Sequence, residues 1–363
     1  MIELKKNLNF SVGPVEMDED IQEIGSHKIP YFRTSEFSNL NKENEDLIKK
    51  FVYASNGARA VFLTASGTGA MEAAVMNSFD ENDKVLVVNG GSFGGRFKEI
   101  CEIHNINHEE IKLSSGKKLT EEDLSKFKGK GFTGFLINVH ETSTGVYYDM
   151  ELVSKFCKEE NLFLVVDAIS SFLADEYYMD KWGVNITILS SQKGLALPPG
   201  ISILVLDEKG VNRVNKSKCR SLYFNLRKYL EDGLRGQTPF TPAVGILIQL
   251  NYRLSKIDEK GIEYYLNYTK EIAEDFRSKI KDLPFKIASE SLSNTVTPLK
   301  PLGKMKAHDI FEYIEKNYDI HICPNGGTLR DTLFRVGHIG NLSKEDNDKL
   351  IKAFVDMNEG GIL

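Results

Sequence analysis

What most constrains this chain is an alternation, held through its first two thirds, of short, nearly unbroken apolar runs with longer stretches of helical composition. The runs are Ala60–Leu63, Lys84–Val88, Gly134–Val139, Leu162–Val166, Ile186–Leu189 and Ile201–Leu206; Gly69–Asn77, Phe97–His104, Glu121–Phe127 and Met150–Glu160 lie between them. A strand that is apolar on both faces must be covered on both, and parallel neighbours need a crossover long enough to hold a helix. The pattern predicts an α/β fold, a mainly parallel sheet between two layers of helices. After about Gln249 the rhythm changes. Helical stretches near Gly261–Lys279, His308–Asn317 and Lys344–Met357 surround short strands near Phe285–Ile287, Thr295–Pro298 and Leu333–Val336, which reads as a smaller α+β domain. The expected division is an N-terminal arm over residues 1–20, a large domain over 21–249 and a small C-terminal domain over 250–363. A continuous helix or short loop is expected to join the two domains, because no low-complexity tether separates them.

Charge and cysteine usage narrow the partners. In 363 residues, 46 Lys and Arg stand against 52 Asp and Glu, a net charge of −6. No basic footprint for nucleic acid follows from that balance. No apolar run approaches the roughly 20 residues that cross a bilayer, so no membrane partner is expected. Met1–Phe10 lacks the apolar segment and cleavage site of a signal peptide. Cys101, Cys157, Cys219 and Cys323 lie far apart with no CxxC spacing. Neither a disulfide framework nor a metal site is expected, and a reducing cytoplasm is the expected location.

In an open parallel sheet, ligands bind where the carboxyl ends of the strands open into loops. Thr64-Ala65-Ser66-Gly67-Thr68-Gly69 follows one apolar run and leads into a helix. Its small residues, hydroxyls and helix N–H groups suit a phosphate, although Ser and Thr at such a place also serve as plain helix caps. The loop fits neither GxxxxGK[ST] nor GxGxxG, which disfavours a nucleoside triphosphate or dinucleotide. Asp167 ends another run, where a buried carboxylate either needs a partner or caps the residues that follow. Ser190-Ser191-Gln192-Lys193-Gly194 ends a third. Most lysines are solvated surface charges, but a partly desolvated one at this crevice can lose its proton and attack a carbonyl. An anion cradle, an acid and a lysine together meet the needs of pyridoxal phosphate: its phosphate anchors it, its aldehyde condenses with lysine, and its ring nitrogen pairs with an anion.

With these residues in place, the chain resembles the class V aminotransferases of pyridoxal-phosphate fold type I, from Val12-Gly13-Pro14 to Gly337. The resemblance implies a PLP-dependent transaminase with an amine donor and a keto-acid acceptor. It assigns Ser66, Gly67 and Thr68 to the phosphate turn, and places Phe93, within Asn89-Gly90-Gly91-Ser92-Phe93-Gly94-Gly95-Arg96, in a stack on the cofactor ring. Within His140-Glu141-Thr142-Ser143-Thr144-Gly145 it sets Thr142 near the ring hydroxyl. Asp167 is implied as the pyridinium partner, Ile169 as the residue under the ring, and Lys193 as the Schiff-base lysine with Gln192 beside it. Thr238-Pro239-Phe240-Thr241-Pro242 is similar to a segment that reaches the neighbouring subunit's phosphate, with Thr238 and Thr241 as contacts, which implies a homodimer with shared active sites. Gly13 and Arg335 are implied at the substrate, Arg335 holding its acidic group; Arg33 reads equally as a second anion contact or a structural arginine.

Within the class, the nearest resemblance is to 2-aminoethylphosphonate–pyruvate transaminases, on Val166-Asp167-Ala168-Ile169-Ser170-Ser171-Phe172, Cys219-Arg220-Ser221-Leu222 and Phe334-Arg335-Val336-Gly337-His338-Ile339-Gly340. It implies transfer from 2-aminoethylphosphonate to pyruvate, giving phosphonoacetaldehyde and L-alanine. Tyr31-Phe32-Arg33-Thr34-Ser35-Glu36-Phe37 and Asn325-Gly326-Gly327 depart from that subgroup's pattern. The alternatives are an alanine– or serine–glyoxylate transaminase, a cysteine-desulfurase-like lyase using Cys323, and a non-catalytic scaffold. A scaffold has no use for both Lys193 and Asp167.

Overall fold

Residues 7–363 are described by a computed structural model. In chain order the first strands are β1 (Leu8–Phe10), β2 (Arg59–Leu63), β3 (Lys84–Asn89), β4 (Asn107–Lys112) and β5 (Gly134–Asn138). A two-residue pair, β6 (His140–Glu141) and β7 (Val146–Tyr147), precedes β8 (Phe163–Asp167), β9 (Ile186–Ser190) and β10 (Ser202–Leu206). The last four are β11 (Phe285–Ile287), β12 (Val296–Pro301), β13 (Ile320–Pro324) and β14 (Phe334–Gly337).

The apolar runs build a seven-stranded sheet in the order β2-β10-β9-β8-β5-β3-β4. Its pairings are parallel except those of β10, which runs antiparallel to both β2 and β9. Alternate residues of one strand point to opposite faces. Accordingly Phe62, Leu86, Val88, Phe135, Ile137, Leu164 and Val166 join one buried cluster, and Val61, Leu63, Val85, Val87, Leu136 and Val165 join another. Helices Ser35–Phe51, Met150–Glu159 and Val244–Lys260 contribute to the first cluster, and helices Gly67–Ser78 and Ser92–Ile103 to the second. This is the three-layer arrangement that doubly covered strands require.

The second sheet has five strands in the order β1-β13-β14-β12-β11, with β1 parallel to β13. Its own core joins Phe10 to Phe276, Ile310, Ile322, Phe334 and Phe354. The N-terminal segment therefore supplies an edge strand to the small domain, and helix Glu19–Gly25 spans the division expected at residue 20. Helix Val244–Lys260 runs unbroken through residues 249 and 250, and its Leu247, Leu250, Leu254 and Ile257 belong to the large-domain core. We place the division at the turn at Gly261, before helix Ile262–Lys279, whose Phe276 enters the small core. No helix among the described residues is long and apolar enough to cross a membrane.

Candidate active site

Strands β5, β8 and β9 deliver their carboxyl ends to one crevice at the foot of the small domain. Past Ser190 the chain turns sharply. Ser191 N–H donates to the Ile201 carbonyl (2.9 Å), Ser191 Oγ donates to the Pro198 carbonyl (2.7 Å), and Ala196 N–H returns to the Lys193 carbonyl (2.8 Å). The turn aims Lys193 inward, where Nζ donates to the Val12 carbonyl at 2.5 Å. Gly13 covers the amine from the N-terminal segment with φ at +126°, and a Cβ there would stand 2.6 Å from Lys193 Cδ and 2.9 Å from Nζ. Only glycine leaves room for that amine. Burial, chiefly, pulls the Lys193 pKa down to about 8; the Arg335 and Arg96 charges add to the effect, while Cys323 and Asp167 oppose it.

Asp167 closes β8. Its Oδ1 accepts the Ile169 N–H at 2.8 Å, and Oδ2 takes no hydrogen bond among the described residues. The residues after it form turns, so the carboxylate caps a turn, not a helix. Burial pushes its pKa up to about 6, with Glu141 adding and Ile169 N–H, Lys193 and Arg96 opposing. A buried acid with one oxygen left open is costly unless a cation or donor completes it.

The anion cradle lies at the head of helix Gly67–Ser78. Ser66 is its N-cap, accepting Gly69 N–H at 3.4 Å, and the first-turn N–H groups of Gly67 and Thr68 have no intrahelical acceptor. Arg96 Nη1 donates to Thr68 Oγ1 at 3.0 Å, and among the described residues no carboxylate pairs with that guanidinium. Gly67 presses against Ile169, since a Cβ on it would come within 2.5 Å of Ile169 Cδ1; the contact joins the cradle to the Asp167 turn. Gln192 Oε1 accepts Ser190 Oγ at 2.6 Å beside Lys193.

Phe93 sits in the first turn of helix Ser92–Ile103, and the Arg96 guanidinium lies 4.9 Å from its ring centroid. No side chain at Gly91 can cap this helix. The buried carboxylate of Glu141 does so instead, accepting Gly94 N–H (2.9 Å), Phe93 N–H (3.3 Å) and Ser143 N–H (3.2 Å). Neither Glu141 nor Arg96 was singled out by sequence reasoning. Both lie inside motifs quoted for other residues, and a cap formed across 48 residues of chain leaves no local signature.

Thr142 bridges to the small domain. Its carbonyl accepts Arg335 Nη1 at 2.9 Å, and Arg335 Nη2 donates to the Pro324 carbonyl at 2.7 Å. Arg335 is 8% exposed, its Nε has no partner, and no carboxylate pairs with it among the described residues. A structural ion pair does not explain it. Cys323 is held in strand register opposite Arg335.

Arg33, Thr238 and Thr241 are placed elsewhere. Arg33 Nη1 donates to Gln237 Oε1 (3.0 Å) and the Thr238 carbonyl (2.8 Å), while Thr238 Oγ1 donates to the Phe240 carbonyl (2.8 Å). Thr241 is exposed. No contact among the described residues joins these to Lys193 or Asp167. Large apolar side chains stand exposed in the neighbouring stretches of chain: Ile29 at 62%, Tyr31 at 70%, Leu222 at 68% and Leu234 at 71%.

The fold and the crevice define a pyridoxal-phosphate-dependent aminotransferase of fold type I. The residues fit that cofactor: a buried amine for its aldehyde, an acid oxygen left open for its ring nitrogen, and helix N–H groups without an intrahelical acceptor, with an arginine that has no carboxylate partner among the described residues, for its phosphate. The chain belongs to the family of class-V aminotransferases, whose model matches residues 26–328. It is 30% identical over 342 residues to the small subunit of a soluble hydrogenase from Synechococcus sp. (strain PCC 6716), covering 92% of this chain and 88% of that one. It is 27% identical over 347 residues to the L-aspartate–glyoxylate aminotransferase of Paracoccus denitrificans (strain Pd 1222), covering 93% and 87%. Among solved structures, an aspartate aminotransferase of subgroup IV from Thermus thermophilus superposes with a TM-score of 0.90 at 25% identity, covering 98% of this chain and all of that one.

The depressed pKa gives a direct expectation for protein stripped of cofactor. Only a neutral amine reacts with an acylating reagent, so Lys193 labelling should rise with pH to a midpoint near 8, well below the 10.5 of an ordinary lysine. Peptide mass spectrometry across a pH series measures it. A midpoint near 10.5 would place the amine in water.

Proposed function

We propose that the enzyme moves an amino group from a small amino acid to glyoxylate or a similar short 2-oxo acid, with Arg335 gripping the carboxylate of donor and acceptor in turn. The observation that carries this reading is the buried guanidinium without an anionic partner among the described residues, close enough to the buried amine of Lys193 for its charge to lower that amine's pKa. A guanidinium fork binds two carboxylate oxygens at once. When bound, pyridoxal phosphate supplies an aldehyde for the amine and a ring that accepts the electron pair left at the substrate carbon. The protein does the rest. Ser66, Gly67, Thr68 and Arg96 would hold the phosphate, Phe93 and Ile169 would flank the ring, and Thr142 would lie near the ring hydroxyl. Asp167 keeps a proton at the ring nitrogen, Gln192 steadies the turn, and Lys193 takes and returns the proton at the substrate carbon. Gly13 leaves the space in which amine and substrate meet.

We place Thr238, Thr241 and Arg33 at the rim of the neighbouring subunit's site in a homodimer. Arg33 and Thr238 bond to each other and not to Lys193 or Asp167, and Ile29, Tyr31, Leu222 and Leu234, exposed in the same stretches of chain, support this, because exposed apolar side chains suit a second copy of the chain. Four free, scattered cysteines support a reducing cytoplasm as the setting.

A relative named for aspartate and glyoxylate supports the glyoxylate-type reading. The second reading, 2-aminoethylphosphonate to pyruvate, rests on the sequence stretches around Asp167, Cys219 and Arg335, and would use the same guanidinium for a phosphonate. The test pairs alanine, serine or aspartate with glyoxylate, and 2-aminoethylphosphonate with pyruvate. Turnover of the first group is expected; turnover of the phosphonate alone would reverse the assignment. In either case Arg335→Gln should raise KM about 100-fold or more, as loss of a buried charge-assisted contact does. An unchanged KM would remove Arg335 from the substrate.

A further inference from the structure

Strand β13 lies between the two groups that the proposed reaction needs. In the sheet order β1-β13-β14, β14 carries Arg335 on one side of it. On the other side β1 leads into Val12 and Gly13, which hold and cover the Lys193 amine. Cys323 is the residue of β13 directly opposite Arg335. Residues opposed across an antiparallel pair point to the same face, so thiol and guanidinium share one. That face is turned to the crevice. Ile322 and Phe334, the alternate residues, lie in the small-domain core on the other face. Pro298, opposite Arg335 on β12, presses on the loop that carries Thr142, where a Cβ at Gly145 would come within 2.4 Å of Pro298 Cγ.

The Cys323 thiol is not packed away. Cys101 and Cys157 are buried within the two clusters of the large domain. Cys323 is half-buried, its Sγ reaches only the Pro324 carbonyl at 3.9 Å, and with Ser11 and Gly13 it lines an open cavity of about 1170 Å³. It stands near enough to Lys193 for its charge to act on that amine. The neighbouring guanidinium is what points to a ligand here, being buried, with an Nε that has no partner and no carboxylate beside it among the described residues. A substrate with its carboxylate on Arg335 and its amino carbon at Lys193 spans the gap that Cys323 faces.

We propose that Cys323 is a specificity-determining residue, its thiol forming the wall against which the side chain of the bound amino acid lies and so limiting the size of donor that the enzyme accepts. The inference rests on Arg335 holding the substrate carboxylate, as given under Proposed function. A small, polarisable side chain at this wall leaves room for a short donor, and one methylene too many or too few in such a pocket changes selectivity about 10- to 200-fold.

The test separates the two half-reactions in holoprotein, each followed by the change in cofactor absorbance, with a thermal melt for each variant. In one, alanine or serine gives up its amino group; in the other, glyoxylate takes it. Glyoxylate bears only hydrogen where the donor bears its side chain. Cys323→Leu is expected to slow the donor half-reaction about 10-fold or more and to leave the glyoxylate half-reaction within about twofold. Cys323→Ala is expected to raise kcat/KM for 2-aminobutyrate relative to alanine about 10-fold. A thiol with only a structural role would slow both halves alike, or lower the melting temperature and slow neither, and either result overturns the proposal. Arg335→Gln tells the failures apart. If it raises KM while Cys323→Leu leaves the ratio of the two halves unchanged, the wall is wrong and Arg335 stands. If Arg335→Gln changes nothing, the carboxylate lies elsewhere and the proposal falls with that reading. Should the wild type reject glyoxylate, the glyoxylate reading fails by itself, and pyruvate against 2-oxobutyrate, one methylene larger, takes its place. Cys323→Leu is then expected to lower 2-oxobutyrate relative to pyruvate about 10-fold, and an unchanged ratio overturns the wall. Should Cys323→Leu not fold, Cys323→Ala decides alone.

Discussion

Lys193→Ala is expected to lower transamination about 1,000-fold or more, since in the proposed mechanism one amine both holds the cofactor and moves the proton at the substrate carbon, and proton transfer by itself contributes about 10²- to 10⁴-fold. The fold should persist. Burial depresses the Lys193 pKa from 10.5 to about 8, so between those values the unfolded chain binds more protons than the native one. Stability from this group therefore rises with pH through that window, and at neutral pH the native state carries the whole cost of confining the charge. Alanine removes the cost together with the side chain's packing. Initial rates and circular dichroism on the same preparation check both halves. A variant that turns over at the normal rate, or one that is unfolded, would contradict the assignment.

Asp167→Asn is expected to lower kcat about 100-fold or more, because a neutral amide cannot hold a proton on the ring nitrogen through charge, and electrostatic stabilisation of this kind is worth about 10²- to 10³-fold. The amide oxygen can still accept the Ile169 N–H that Oδ1 takes at 2.8 Å, so the turn survives. Stability should move the other way. The Asp167 pKa is raised from 3.8 to about 6, so in that interval the cofactor-free native state binds more protons than the unfolded one. Stability from this group is full below about 3.8, is lost as pH rises through about 6, and stays low above it. At neutral pH the cofactor-free variant should therefore melt higher than cofactor-free wild type, and the difference should vanish in acid. A site that sacrifices stability for function behaves in this way. A lower melting point with full activity would mark Asp167 as a structural cap.

Much of this was open to sequence reading, for a physical reason. Strands covered on both faces are apolar throughout, so β5, β8 and β9 announce themselves, and a parallel sheet puts the residues after them, Asp167 and Ser190–Gly194, into one crevice. Elements whose partners are remote were hidden. β4 reads Asn-His-Glu-Glu-Ile-Lys, because an edge strand needs only one apolar position. β1 is three residues long and gains its meaning only by pairing with β13, more than 300 residues further along the chain. Helix Val244–Lys260 runs unbroken through the position where the change of sequence rhythm suggests a division, which instead falls at its end. At the site, the residues read from motifs were those with a chemical role of their own. Glu141, which caps a helix from another strand, is defined by geometry alone.

The central claim is that the buried amine on the turn after β9 carries the cofactor. Borohydride reduction of holoprotein followed by peptide mapping tests it most directly. The expected result is one pyridoxyl group per chain, on the peptide that contains Lys193. A pyridoxyl group on another lysine, or none on a protein that still transaminates, would contradict it.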